Sequence, residues 1–193
     1  MYAIISNNQI IQYPANPIME NLNVSFPENW SGGIINDIEY VVVVPTPTPN
    51  VNFGWMVQES RPQIIDGVWT QSWNTILLST NQLINSITDK RYEIETGGIT
   101  IGNTVFATDR DSQIKYMTAS FMLNSSNSSI NWKINDTDFI TLTASDMANI
   151  TNKVFAHVQA AYDQEKYYIN LINSTNSSIL ANTDFTQGWP DNS

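Results

Sequence analysis

The residues best able to carry chemistry lie in Lys90–Ser112, "KRYEIETGGITIGNTVFATDRDS". This stretch holds the pair Gly97-Gly98, the hydroxyls Thr96 and Thr108, and the run Asp109-Arg110-Asp111-Ser112. A glycine pair can aim backbone N–H groups at a phosphate, and two carboxylates can divide acid and base roles when their surroundings separate their pKa values. The spacing argues against both. A phosphate loop leads into a helix and brings a lysine followed by Ser or Thr. Here the glycines lead into "ITI", a strand pattern, and no such lysine follows. The reading is that the pair ends a helix with a left-handed turn and opens a hairpin. Asp109 and Asp111 fall in the first turn of a predicted helix, where acids are usually solvated and are favoured by the helix dipole. A cap is expected there, with Arg110 tied to a nearby acid.

Other routes to catalysis find little material. Cysteine is absent and His157 is the single histidine, which excludes thiolate sites and a histidine-based zinc site within one chain. No Gly-x-Ser-x-Gly elbow, Cys–His pair or metal motif occurs. His157 is expected mid-helix, on the surface or half-buried. No catalytic residue, cofactor or metal is assigned, and the chain reads as a non-enzyme. Trp30, Trp55, Trp69, Trp73, Trp132 and Trp189 could form a sugar-stacking surface, but core packing is the default for aromatics.

The chain has 193 residues and a formal net charge of −10 from eight basic and eighteen acidic residues. Too few lysines and arginines are present to make a counterion-displacing face, so nucleic acid is not an expected partner. Only 13% of residues are charged, against about 25% in ordinary domains, with Asn, Ser, Thr and Gln in their place. Membership of an assembly and the coding bias of an AT-rich genome account for this equally well. No stretch approaches the ~20 apolar residues of a membrane span. The start "MYAIISNNQII" lacks the basic region of a signal peptide. The expectation is a soluble chain made in a host cytoplasm, where sequons such as Asn124-Ser125-Ser126 and Asn173-Ser174-Thr175 follow from composition alone.

The fold class is predicted as α+β. Residues 1–77 read as a β-rich docking region, 78–173 as an α+β domain, and 174–193 as an extended tail. In the first part, "YAII" and "QIIQY" flank a turn at Asn7-Asn8, and "IEYVVVV" (38–44) reads as a strand covered on both faces. The alternating prolines Pro45–Pro49 make an extended arm, a strand edge or a linker. "FGWMVQES" and "GVWTQSW" are two strands meeting near Asp66-Gly67. From Ser79 the pattern is helix, hairpin, helix, hairpin, long helix. Capping-box spacing marks the helix starts at Ser79 with Gln82, Thr108 with Asp111, and Thr143 with Asp146. "ITI", Gly102-Asn103 and "TVF" give the first hairpin, and "INWKINDTDFITLT" the second. The last helix keeps helical spacing from about 144 to 173 through Met147, Ile150, Val154, Val158, Ala161, Tyr162, Ile169 and Ile172. It either protrudes beyond its domain onto a partner or breaks near "NLINSTNSS". The tail is either docked or disordered.

Taken as an ordered set, Arg91, Thr96, Gly97, Gly98, Thr108, Asp109, Arg110, Ser112, Trp132 and Lys133 resemble a domain of unknown function common in phage and prophage tail proteins. The resemblance covers roughly residues 90–165. "FPENWSGGIINDIEYVVV" is more weakly similar to N-terminal modules of small tail-associated proteins. The resemblance implies a place in the virion tail, as a tail-fibre or baseplate adaptor acting through contacts with other tail or fibre proteins. A homo- or hetero-oligomer is expected, with a trimer favoured because fibres are often threefold. No activity is implied, and the matched residues are read as fold-makers. A fibre-assembly chaperone that leaves before the virion is complete is the alternative. A host-glycan-binding or -hydrolysing tail protein is a third reading.

Overall fold

The computed structural model describes residues 1–126 and 128–192. The chain has α+β architecture in two units, Met1–Leu77 and Leu78–Ser193.

The first unit is mainly strands. β1 (Tyr2–Ser6) and β2 (Gln9–Ala15) pair antiparallel around Asn7 and Asn8, whose φ values of +48° and +62° suit asparagine's tolerance of the left-handed region. A short helix, α1 (Pro17–Glu20), follows with Asn16 as its cap. β3 (Gly32–Ile35) and β4 (Ile38–Val42) complete a four-stranded sheet in the order β2-β1-β4-β3. The run 38–44 is not covered on both faces throughout. Ile38 and Glu39 are exposed, and burial sets in only at Tyr40 and Val43, because β4 lies against the sheet's small core only over its second half.

β5 (Trp55–Ile65) and β6 (Val68–Leu77) form a long antiparallel ribbon turned by Asp66 and Gly67, at φ +50° and +80°. Its register shifts between Ser60 and Gln63, the place where Pro62 has no N–H to give the ladder. The proline-rich segment runs along the ribbon. Val44 N–H donates to Trp69 O at 2.9 Å, and Thr46 N–H donates to Gln71 Oε1 at 3.0 Å. Trp73 Nε1–H donates to Thr46 Oγ1 at 2.9 Å. Thr46, set between prolines, thus supplies the polar contacts its neighbours cannot. Gln71 is buried and donates to Glu59 at 2.6 Å, and Glu59 also accepts from Tyr13 OH.

The second unit is built on its last long helix. α2 (Thr80–Thr96) leads to the hairpin of β7 (Ile99–Ile101) and β8 (Thr104–Phe106), then to α3 (Arg110–Ser126). β9 (Ser129–Lys133) pairs with β10 (Phe139–Thr143), which runs directly into α4 (Ala144–Ser174). Thr143 and Asp146 cap α4 reciprocally: Asp146 N–H donates to Thr143 Oγ1 at 3.3 Å, and Thr143 N–H donates to Asp146 Oδ2 at 3.0 Å. α4 is 31 residues, about 45 Å at 1.5 Å per residue. Its buried positions, Met147, Ile150, Val154, His157, Ala161, Tyr168 and Ile172, keep one face inward along the whole length. α2 and α3 both pack on this face. Tyr162, expected in the stripe, is instead 40% exposed, and Tyr168 is buried one position before Ile169.

α4 ends at Ser174, inside the stretch "NLINSTNSS", and its far end does not stand bare. Residues 174–193 do not form a separate extended tail: α5 (Ser177–Leu180) turns the chain back, and the following segment lies on α4. Residue 193 lies outside the described residues. Phe185 is 1% exposed with its ring 5.3 Å from Tyr168, and Trp189 stands 5.9 Å from the same ring. Tyr168 OH donates to Gln187 O at 2.7 Å. Thr100 N–H donates to Asn192 O at 2.7 Å, joining the chain end to β7. The apolar residues of the tail lack a period because they fill the surface of another element and form no face of their own. Phe185→Ala should therefore destabilise the second unit by about 3–5 kcal/mol, as loss of a buried aromatic does. Urea unfolding of the intact chain followed by far-ultraviolet dichroism measures it, and an unchanged midpoint would show the tail to be unimportant for the fold.

Candidate functional site

The ten motif residues separate into three places. The first is the α2–α4 contact. Arg91, only 8% exposed, pairs with Glu95 one turn on, and its Nε donates to Glu165 of α4 at 3.2 Å. Its guanidinium carbon also lies 4.7 Å from the Tyr162 ring centroid. One planar cation with several donors thus satisfies two carboxylates from two helices and stacks on a ring, a geometry lysine cannot reproduce. His157, expected at the surface or half-buried, is buried beside this contact with Nε2 2.9 Å from Ile94 O. Its role is to satisfy a carbonyl near the end of α2, where the intrahelical ladder runs out.

The second place is the turn between α2 and β7 and the start of α3. Thr96 Oγ1 donates back to Tyr92 O at 2.8 Å. Gly97 continues at φ −73°, and Gly98 alone takes the left-handed conformation, at φ +85°. A Cβ on Gly98 would sit 3.2 Å from Phe106 O, so both conformation and space require glycine. Gly98 N–H donates to the hydroxyl of Thr108 at 2.8 Å, and Thr108 is fully buried. No phosphate cradle exists here, because that N–H is already taken by a side chain.

The cap of α3 differs from the expected pair of Thr108 with Asp111. With the Thr108 hydroxyl committed to Gly98, Asp109 is the capping residue. It accepts from Ser112 N–H at 3.0 Å and from Ser112 Oγ at 2.6 Å. These hydrogen bonds hold the Asp109 carboxyl below its ordinary 3.8. The Ser112 hydroxyl is thus committed as a donor to the capping carboxylate of Asp109. Arg110 is exposed on the first turn of α3, while the acids paired with Arg91 are Glu95 and Glu165.

The third place is a cleft of about 380 Å³ where β8, α3 and β9 meet. Ser112, Lys115, Tyr116, Asn131, Trp132 and Lys133 line it. Tyr116 and Trp132 stack with centroids 5.0 Å apart, and Tyr116 OH donates to Ala107 O at 2.9 Å. Burial, with a smaller effect from the Asp109 carboxylate, pushes the Tyr116 phenol up to about 12, so it stays neutral. Along β9, Ile130 and Trp132 turn inward while Asn131 and Lys133 face solvent. Two of the chain's eight cations thus stand at an aromatic-floored cleft, an arrangement suited to holding a carboxylate or another anionic group. Lys115, Tyr116 and Asn131 are additions to the motif set. Asn131 was legible from strand alternation beside Lys133, and Lys115 from helical spacing after Ser112.

Among the described residues, no group of three or more His, Cys, Asp or Glu side chains is placed to hold a metal ion. No helix of the described residues is long and apolar enough to cross a membrane. In the first unit Trp30 packs on Tyr2, Phe26 and Tyr40; in the second Trp132 packs on Tyr116 and Trp189 on Tyr168.

The second unit is thus an α+β domain whose ordered motif knots one helix end, one turn and one helix start onto a long helix. The chain belongs to the family described as domain of unknown function DUF4376, whose profile matches residues 79–187. No curated protein and no solved structure matches the chain.

Arg91→Met should lower stability by about 3–5 kcal/mol, because it strands Glu95, 3% exposed, without its partner. Denaturant unfolding reads this, and a loss under about 1 kcal/mol would show that the pair is not needed. Asp109→Ala should cost about 1 kcal/mol near neutral pH. Since the Asp109 pKa is depressed in the fold, its contribution is present above the unfolded value and lost as pH falls through the folded one. The gap between Asp109→Ala and the unaltered chain should therefore close as pH drops below 3.8, measured by paired thermal melts.

Proposed function

We propose that the chain is a non-enzymatic structural component of a phage tail, a tail-fibre or baseplate adaptor that works through protein–protein contacts. This rests on the resemblance of its ordered motif to tail-associated proteins. The observation that carries it is what the motif residues are occupied with. Arg91, Gly98, Thr108, Asp109 and Ser112 are all engaged in bonds that hold helix ends and turns. Side chains so committed build a scaffold, and the chain's work then falls to its surfaces.

Those surfaces suit assembly. The β5–β6 ribbon is two strands only, a form marginal without support, and its turn carries Ile64, Ile65 and Val68, each about half exposed. An apolar tip on a long ribbon is an arm for burial against another chain. The cleft at Lys115 and Lys133 offers a second contact, for an acidic segment. The assembly-chaperone reading draws support from one observation, the apolar outer face of α3, since a client-binding protein must expose such a surface.

Mass spectrometry of purified virions, with copy number measured against a tail protein of known stoichiometry, separates the two. The tail reading expects a small multiple of three or six copies per particle. Expression in infected cells with absence from virions would overturn it and leave the chaperone.

A further inference from the structure

The cleft where β8, α3 and β9 meet is bounded by strand edges as well as by side chains. The β7–β8 and β9–β10 sheets are each two-stranded, so β8 and β9 each have one unpaired edge. The register shows what those edges present. Ile134 N–H donates to Asp138 O at 3.0 Å, which makes these two a hydrogen-bonded pair. Counting back along the ladder, Trp132 and Ile140 are again a hydrogen-bonded pair, while Lys133 with Phe139 and Asn131 with Thr141 are not. The backbone N–H and C=O of Asn131 and Lys133 therefore point away from β10. On the other hairpin Thr100 and Val105 are the corresponding pair, so the Val105 N–H and C=O point away from β7. Residues of β8 and β9 line the cleft and none of β7 or β10 does, which puts both free edges on the cleft side. Among the described residues, no other group takes these backbone donors.

We infer that the cleft takes an extended acidic segment of another protein, which pairs its backbone with the free edge of β9 and sets its carboxylates on Lys115 and Lys133. The inference rests on the reading that the chain works through protein contacts, and it names the partner chemistry that one contact fits. Three observations select this occupant. First, the outward N–H and C=O groups of Asn131 and Lys133 recur at every second residue, about 6.8 Å apart, which is the repeat of an extended polypeptide and of no small anion. Second, the charge is complementary. Lys115 and Lys133 make no ion pair among the described residues, whereas Lys90 and Arg91 are both paired, and no acid lines the cleft. On a chain of net charge −10, most other surface turns an acidic segment away. A lysine on a strand edge also excludes basic strands, so the same residue that attracts the partner sets its specificity. Third, the opposite edge of the β7–β8 hairpin already carries an extended segment: Thr100 N–H donates to Asn192 O at 2.7 Å, from the chain's own end. The stacked rings of Tyr116 and Trp132 give the cleft an apolar floor. A segment whose side chains alternate between acidic and apolar meets both the lysines and that floor.

A random-peptide display library panned on the intact chain tests this. The enriched peptides should be acidic, with acids at alternate positions. A synthetic, fluorescein-labelled copy of one of them, followed by fluorescence anisotropy, should lose more than about tenfold in affinity on Lys133→Glu and on Lys115→Glu. Both lysines are exposed, so the thermal melts of these variants should stay those of the unaltered chain. Asn131→Pro removes only an outward N–H, leaves the β9–β10 ladder whole and should weaken binding as strongly. N-methylation of alternate amides of the peptide should abolish binding in one phase of the alternation. This last measurement needs no change in the chain, so it stands even where a variant fails to fold. Binding indifferent to N-methylation in either phase would show an electrostatic contact only and overturn the strand pairing. A library that yields no acidic binder, or binders that ignore both lysine variants, would overturn the proposal as a whole. Equal competition by free glutamate would mean a small-acid site and overturn it too. None of these results depends on whether the chain is found in virions, so this inference and the tail reading can fail separately.

Discussion

The second unit depends on one buried cation. Arg91 reaches from α2 to Glu165 on α4 while holding Glu95 on its own helix. Burying a guanidinium and a carboxylate is costly unless each is fully partnered, so this contact tolerates little displacement. It fixes the position of α2 along α4. That in turn sets where α2 ends, at Thr96, and where the left-handed Gly98 can place the β7–β8 hairpin. Thr108, returning on the far side of the hairpin, then closes the turn by accepting from Gly98 N–H. Asp109 follows at once as the cap of α3. A chain of short, geometrically specific bonds thus runs from the ion pair to the start of the next helix.

The hydrophobic contribution is organised by the same frame. Ile99 and Phe106 of the hairpin, Tyr116 and Leu123 of α3, Leu142 of β10, and Met147, Ile150 and Val154 of α4 form one buried cluster. The other end of α4 is closed by the returning tail through Phe185, Leu180 and Trp189. A 31-residue helix in a unit this small would expose much of its apolar stripe; the tail covers the part that α2 and α3 leave. The outer face of α3 and the cleft in this unit, and the ribbon tip in the first unit, are exposed, and these are the surfaces on which the assembly reading rests.

Local signals in the sequence were legible where local physics decides. The α+β class, the long last helix, the Thr143–Asp146 capping box and the left-handed glycine after Thr96 follow from spacing and residue type alone. The missed features depend on distant partners. The Thr108 hydroxyl is used ten residues away, which moved the cap of α3 to Asp109, although the spacing of Asp109 and Ser112 fits a cap as well as that of Thr108 and Asp111. His157 is buried where α4 packs on α2, against Ile94 O, 63 residues earlier. Glu165 could not be read as the partner of Arg91 from sequence, since 74 residues separate them. Docking was one of the two readings of the tail, but its seat was not legible, because its apolar residues match the surface of α4 and have no period of their own.

Native-state hydrogen exchange of the intact chain tests the central claim, that the Arg91 contact makes α2 and α4 one cooperative element. The account predicts that amides of α2 from Leu83 to Glu95 and those of α4 from Val154 to Tyr168 share the slowest exchange in the second unit. They should converge on a single opening free energy as denaturant is raised. Exchange of α2 through a separate, low-energy opening while α4 stays protected would contradict it.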